Sequence, residues 1–190
     1  MTTSKDRLKR FLARLDGIFG REPKFYPFDS LIPGAPKVAV MVYDDVPEPG
    51  YITGVTYGLS EVQHPEWRLG RPELIISVES TDTRWPLAVG ELANQLRGDC
   101  PFAYGDVINF GEPISPESEM AAFFVFAPSI LEREDFLNID VGGPQTLSLA
   151  GMYPIYPPEV KVIRAEGLKA FWHHENFDPF SVTRPGITKL

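Results

Sequence analysis

The sequence predicts an α+β fold: a single domain in which a mixed β-sheet is packed by flanking helices, an α/β sandwich. Three observations carry this. Strand-like runs at residues 37–43 and 51–59 follow one another with only a turn between them, whereas a doubly wound parallel sheet places helices between its strands. Extended helical periodicity is confined to residues 4–19, 86–97 and 159–172. A chain of 190 residues with 43% hydrophobic side chains fits one large domain, without a metal or disulfide staple.

Taken in order, residues 4–19 place Leu8, Phe11, Leu12, Leu15, Ile18 and Phe19 at helical spacing, with Lys5, Lys9, Arg10 and Arg14 between them. Thr3 supplies an N-cap with Asp6 three residues on, and Gly20 follows the last apolar position. At 16 residues this reads as a docking helix with a solvated basic face rather than a membrane-surface helix. Pro23, Pro27, Pro33 and Pro36 mark an extended connector. Residues 37–43 and 51–59, rich in β-branched and aromatic side chains, form a hairpin around Pro47-Glu48-Pro49-Gly50. Residues 73–79 make a third strand. Pro86 opens a helix that runs to about Arg97 and stops at Gly98; Leu87, Glu91, Asn94 and Gln95 make its polarity mixed, so one face packs on the sheet.

Residues 107–110, 122–126 and 146–153 are the later strands. Residues 128–145, with Gly142-Gly143-Pro144, form a long loop holding a short helical turn near 131–136. Residues 159–172 close the fold as a helix with Val160, Ile163, Leu168, Phe171 and Trp172 facing inward, and the tail from Asn176 wraps the surface.

Net charge is −8 and unevenly spread. Residues 1–24 hold seven Lys/Arg against three Asp/Glu, while residues 106–140 hold eight acidic residues against Arg133 alone. Acidic loops keep a protein soluble; a concentrated acidic face also steers in a basic partner. Direct nucleic-acid binding is disfavoured, because phosphate contacts need clustered Lys/Arg. One cysteine, Cys100, makes no internal bridge, which matches a reducing compartment. Arg14 and Asp16 interrupt any apolar run near the N-terminus, and no stretch of about 18 apolar residues occurs, so no export signal and no membrane span are expected and the location is read as cytoplasmic.

Catalytic and ligand motifs are sparse. Gly58-Leu59-Ser60-Glu61 lacks the glycine pattern of a nucleophile elbow. Ser60 and His64 stand four apart, a spacing common by chance. Cys100, before Pro101, reads as a structural cysteine. His173-His174-Glu175 is the one histidine cluster; neighbours on a helix point about 100° apart, so the rings do not share a metal, and the helix dipole accounts for them. Asp44-Asp45 reads as a solvated turn. Gly142-Gly143-Pro144 lacks the Lys-Ser/Thr and helix of a phosphate loop, and no dinucleotide fingerprint appears. No catalytic residue, cofactor or metal is expected, and the chain is read as no enzyme.

As a whole, residues 54–172 resemble the suppressor-of-fused (SUFU) domain family. Val55-Thr56-Tyr57-Gly58-Leu59-Ser60-Glu61 is similar to that family's strand ending in Gly-Leu-Ser and an acid. The strand 73–79, the helix start Trp85-Pro86, the strand opening Gly105-Asp106-Val107-Ile108 and the closing strand–strand–helix order complete the likeness. The segment Ile75-Ile76-Ser77-Val78 is less basic than the family's, and one domain is covered. The resemblance implies an α/β sandwich and a protein-binding role. Short stand-alone members are largely bacterial, many of them regarded as immunity proteins that neutralise toxins. Together with the acidic segment, this directs attention to Glu112, Glu117, Glu119, Glu132 and Asp135 as contacts for a basic toxin domain. A regulatory adaptor that binds a peptide along a sheet edge and a small-molecule binder or enzyme with an apolar pocket are the other readings.

Overall fold

The structure, a computed structural model, describes residues 3–67 and 70–188. Helix α1 spans Ser4–Phe19 and starts with a complete capping box: the Thr3 hydroxyl accepts from the Asp6 N–H, and the Asp6 carboxylate accepts from the Thr3 N–H. Gly20, at φ 61°, ends it in the left-handed conformation. The strands follow as β1 (Lys24–Phe28), β2 (Val38–Asp44), β3 (Ile52–Tyr57) and β4 (Arg71–Val78). Then come α2 (Arg84–Leu96), β5 (Val107–Asn109), β6 (Ala122–Phe126), α3 (Arg133–Phe136), β7 (Leu147–Ile155), α4 (Glu159–Glu166) and α5 (Leu168–Trp172).

All seven strands form one sheet in the order β1-β2-β3-β4-β7-β6-β5. Every neighbouring pair is antiparallel except β4 and β7, so the sheet is mixed and the fold is α+β. The parallel pair lies at the centre, and its strands are buried almost without interruption, as parallel strands covered on both faces must be.

Alternation along β2 sets the two layers. Val38, Val40 and Val42 face α2 and join Trp85, Val89 and Leu92 in one core cluster. Met41 and Tyr43 face the other way, onto Phe11 and Leu15 of α1 and Phe136 of α3. Farther along that second face, Phe124, Tyr153 and Ile155 meet Ile163 of α4 and Phe171 of α5. Helix α2 sits unusually close to the sheet. A Cβ at Gly54 would lie 2.3 Å from the Pro86 Cβ, and one at Gly90 would lie 2.1 Å from Val40 Cγ2.

Three sequence expectations need correction. The proline-rich connector contains strand β1, with Pro27 inside it; β1 is an edge strand, where a missing N–H breaks no second ladder. Helix α2 begins two residues before Pro86, which is tolerated because the first four helical N–H groups have no intrahelical acceptor. The closing helix is two helices broken at Gly167, whose φ of 88° no helix accommodates. The tail crosses the surface as expected and is tied down: Glu79 N–H donates to Phe180 O at 2.9 Å, and Val182, Arg184 and Ile187 are buried. Among the described residues no helix is long and apolar enough to cross a membrane.

Candidate protein-docking cleft

The Gly-Leu-Ser turn after β3 is held from both sides. The Glu73 carboxylate, fully buried, accepts hydrogen bonds from Gly58 N (2.8 Å), Ser60 N (3.0 Å), Ser60 Oγ (2.6 Å) and Thr56 Oγ1 (2.7 Å). From the opposite side the buried Arg97 guanidinium donates to Gly58 O at 3.2 Å and Pro36 O at 2.7 Å. Loss of water pushes the Glu73 carboxyl above the ordinary glutamate range, against the pull of its four hydrogen bonds. A Cβ at Gly58 would stand 2.5 Å from Lys37 O, so glycine is required there. The motif that carries the family resemblance is thus an internal fastening. Glu73, which the sequence presents only as the charged end of a strand, is its centre.

The remaining motif residues sit in separate networks. Ser60 Oγ donates to Glu73, whereas His64 contacts Asp99 O and accepts from Glu66 N. His173 Nδ1 lies 2.8 Å from Lys169 O, and His174 Nδ1 accepts from Asn176 N. Asp44 pairs with Lys24, and Asp45 accepts from Gly50 N inside its turn. Cys100 is half-buried, and burial pushes its thiol up. Among the described residues no group of three or more His, Cys, Asp or Glu side chains comes together.

The five acidic residues singled out by charge do not form one patch. Glu112 lies on the α2 face, lining a shallow cleft with Arg84, Leu87 and Glu91. Glu132 and Asp135 belong to α3 on the opposite face, whose Phe136 packs into the α1 cluster. Glu119 lines a third cleft beside Arg184 and Pro157. Glu117 and Asp135 are already engaged. Glu117 accepts from the Trp85 indole at 2.6 Å and from Ser80 Oγ at 2.5 Å, and Asp135 pairs with Arg14 at 2.7 Å. Glu112, Glu119 and Glu132 are exposed and form no ion pair with the described residues.

Beside α3 opens an apolar cleft of about 680 Å³. One wall is the loop that leaves α2, with Phe102 and Tyr104; the other is α3, with Arg133, Phe136 and Leu137, and the floor is Leu149 and Ala150 of β7. The loop wall is fixed by the Trp67 indole donating to Pro101 O (2.9 Å), Ala103 N to Asp106 Oδ2 (2.8 Å) and Gly105 N to Val125 O (2.8 Å). Tyr104 is 51% exposed, stacked obliquely on Phe126 at 5.6 Å. Partial burial raises its phenol, and the charge of Arg133 pulls it back. Glu66 lines the cleft, and Glu132 and Glu134 flank Arg133 on α3. An aromatic that is half out of water on a hydrogen-bonded loop, at the edge of an apolar hollow with a charged group on either side, is the composition of a protein-contact site. Sequence reasoning missed it; its only signal was Phe102-Ala103-Tyr104 in a stretch without periodicity.

Comparison with known proteins places the chain. The model of the family described as Suppressor of fused protein (SUFU) matches residues 34–186. That range is wider than the resemblance read from sequence and takes in β2 and most of the tail. The crystal structure of a putative SUFU homolog from Neisseria gonorrhoeae is similar with a TM-score of 0.70 at 16% identity, covering 96% of this chain and 97% of that one. A chain of the Sufu–Fu complex gives 0.68 at 14% identity, covering 95% and 91%. Drosophila Suppressor of Fused gives 0.66 at 13%; there 95% of this chain covers 51% of the other, so this chain spans about half of the fly protein. No curated protein sequence matches.

Proposed function

The chain belongs to the suppressor of fused family, and on that premise we propose that it acts by stoichiometric binding of another protein, without catalysis. The partner is a basic toxin domain that the protein neutralises as a cytoplasmic immunity protein. One relative was solved as the Sufu–Fu complex, which supports a protein-binding role.

The observation that carries this reading is the cleft beside α3: Tyr104 stands half out of water over an apolar floor, Glu66 and Arg133 line it, and the exposed Glu132 and Glu134 adjoin Arg133 in the chain. Its hollow suits one projecting apolar side chain, and the surplus of acids in residues 106–140 suits a basic surface around that side chain. Such a partner gains on-rate from the acidic field and residence time from the aromatic contact. Of the five acids, Glu132 is exposed and adjoins Arg133 of the cleft wall, and it is a direct contact. Asp135 and Glu117, tied to Arg14 and Trp85, contribute charge, while Glu112 and Glu119 add long-range field from other faces.

The test is coexpression with candidate basic toxins from the same genome, followed by mass measurement of the purified complex. Rescue of growth together with a one-to-one complex whose affinity falls between low and moderate salt is the expected result. Rescue without a complex would point to an enzyme that modifies the toxin and overturn the reading. A second reading, a regulatory adaptor that grips a short peptide, is favoured by the Sufu–Fu relative; a fragment of about ten residues binding as tightly as the folded partner would select it.

A further inference from the structure

A second hollow, of about 230 Å³, lies between α1 and the loop before β7, and two arginines are among the side chains that line it. Arg7, Arg71, Tyr57, Ser60, Glu61 and Gln145 line it. Arg7 is neutralised by Glu61, with contacts of 2.6 and 3.3 Å. Arg71 has no acidic partner among the described residues. It is half-buried, and its guanidinium donates only to neutral acceptors, Gln145 Oε1 at 2.5 Å and Ser60 O at 2.9 Å. Arg10 stands at the same loop. A Cβ at Gly142 would lie 2.9 Å from its Cζ, and one at Gly143 would lie 3.2 Å from Arg7 Cδ. The Gly142-Gly143 pair, which the sequence shows without a phosphate-loop context, thus lets the loop close down on two guanidinium side chains. Asp140, the nearby acid of that loop, is engaged with Gly142 N at 2.7 Å.

In a chain of net charge −8, this arrangement holds an arginine with no acidic partner among the described residues in a hollow walled elsewhere by Val141, Pro144 and Leu147, with Arg10 beside the same loop. We propose that the hollow lined by Arg71 and Arg7 and flanked by Arg10 is a binding site for a small oxyanion. A planar guanidinium with part of its donor fork unspent matches phosphate and carboxylate geometry. The volume lies below the roughly 300–1,000 Å³ of sites for drug-sized ligands, so the ligand is a small anion rather than a nucleotide.

The experiment titrates the full-length protein with sodium phosphate, sodium acetate and sodium chloride at matched ionic strength, reading calorimetric binding and the melting temperature. Saturable binding of phosphate or acetate but not chloride is expected, and which of the two saturates at lower concentration identifies the anion class. Arg71→Gln should weaken it about tenfold, as loss of a charge-assisted hydrogen-bonding pair does, and Arg10→Gln should weaken it less. Equal responses to all three salts, or undiminished binding by a folded Arg71→Gln variant, would overturn the site. Tyr104→Ala should leave anion binding unchanged, so failure here is separable from failure of the docking cleft.

Discussion

Arg184 closes a buried, two-pronged ion pair on Glu159, 25 residues earlier, with Nη1–Oε1 at 2.5 Å and Nη2–Oε2 at 2.7 Å. Ile187 N and Tyr156 N donate to the same carboxylate, and Tyr156 Oη donates to Arg184 O. The guanidinium also sits over the rings of Tyr156, Phe171 and Phe177. This is what binds an irregular tail to α4 and α5. Arg184→Ala would leave a buried carboxylate without its counter-charge, a loss of about 3–5 kcal/mol in urea unfolding. Replacing both partners, Glu159→Gln with Arg184→Met, should recover much of that loss, since two apolar-compatible groups no longer strand a charge. A double variant no more stable than the single one would show that the pair is needed for more than its own neutrality.

The close seating of α2 sets up an inversion of helix propensity. Alanine in place of a helical glycine normally adds about 1 kcal/mol. At Gly90 the added methyl would meet Val40 Cγ2 at 2.1 Å and Phe28 Cε2 at 2.7 Å. Overpacking of a tight core costs about 1–3 kcal/mol, so Gly90→Ala should destabilise the protein in chemical denaturation. Pairing it with Val40→Ala should return part of the loss.

Alkaline pH should unfold the protein through its tyrosines. Burial pushes the phenols of Tyr43 and Tyr57 far up and that of Tyr153 to about 12, while the Tyr153 hydroxyl donates to Ala127 O at 2.6 Å. A group whose folded pKa is raised binds its proton more tightly in the native state. Its contribution is therefore complete below the unfolded tyrosine value of about 10 and is lost as pH rises through the folded one. Ultraviolet titration should show late-ionising tyrosines whose release coincides with loss of structure. Seven tyrosines titrating together near the ordinary value, with the fold intact, would contradict this.

For the docking cleft, Tyr104→Ala should weaken partner binding by about tenfold or more, the loss expected of an aromatic anchor, with little change in stability because the ring is 51% exposed. Glu132→Lys should instead slow association and flatten its salt dependence. Glu117→Lys answers a different question. The Trp85 side chain is fully buried with its indole N–H on Glu117, so this reversal should lower stability by about 1–3 kcal/mol whatever it does to the partner.

Local patterns in the sequence established the helix at Ser4–Phe19 with both caps, the β2–β3 hairpin and the α+β class. Each of these rests on side chains within a turn or two of one another: Thr3 with Asp6, Gly20 after Phe19, Gly50 closing a proline-rich turn. The edge strand β1 was hidden because Pro27 argues against a strand until a neighbour makes clear that its missing N–H points to no partner.

The family motif at Tyr57–Glu61 was readable, but not its purpose. Glu73 and Arg97 reach Gly58 from 15 and 39 residues away, and nothing in either local sequence marks them as its holders. The acidic segment likewise gave a sum of charge without an address: a sheet stands between Glu112 and Glu132, and Trp85 and Arg14 claim two of the five acids. Composition and periodicity act over neighbours in the chain, so they determined the elements, the fold class and the net field of this protein. Which charges remain free, and where an apolar floor meets an exposed aromatic, depends on contacts between distant segments, and only the folded sheet decided those.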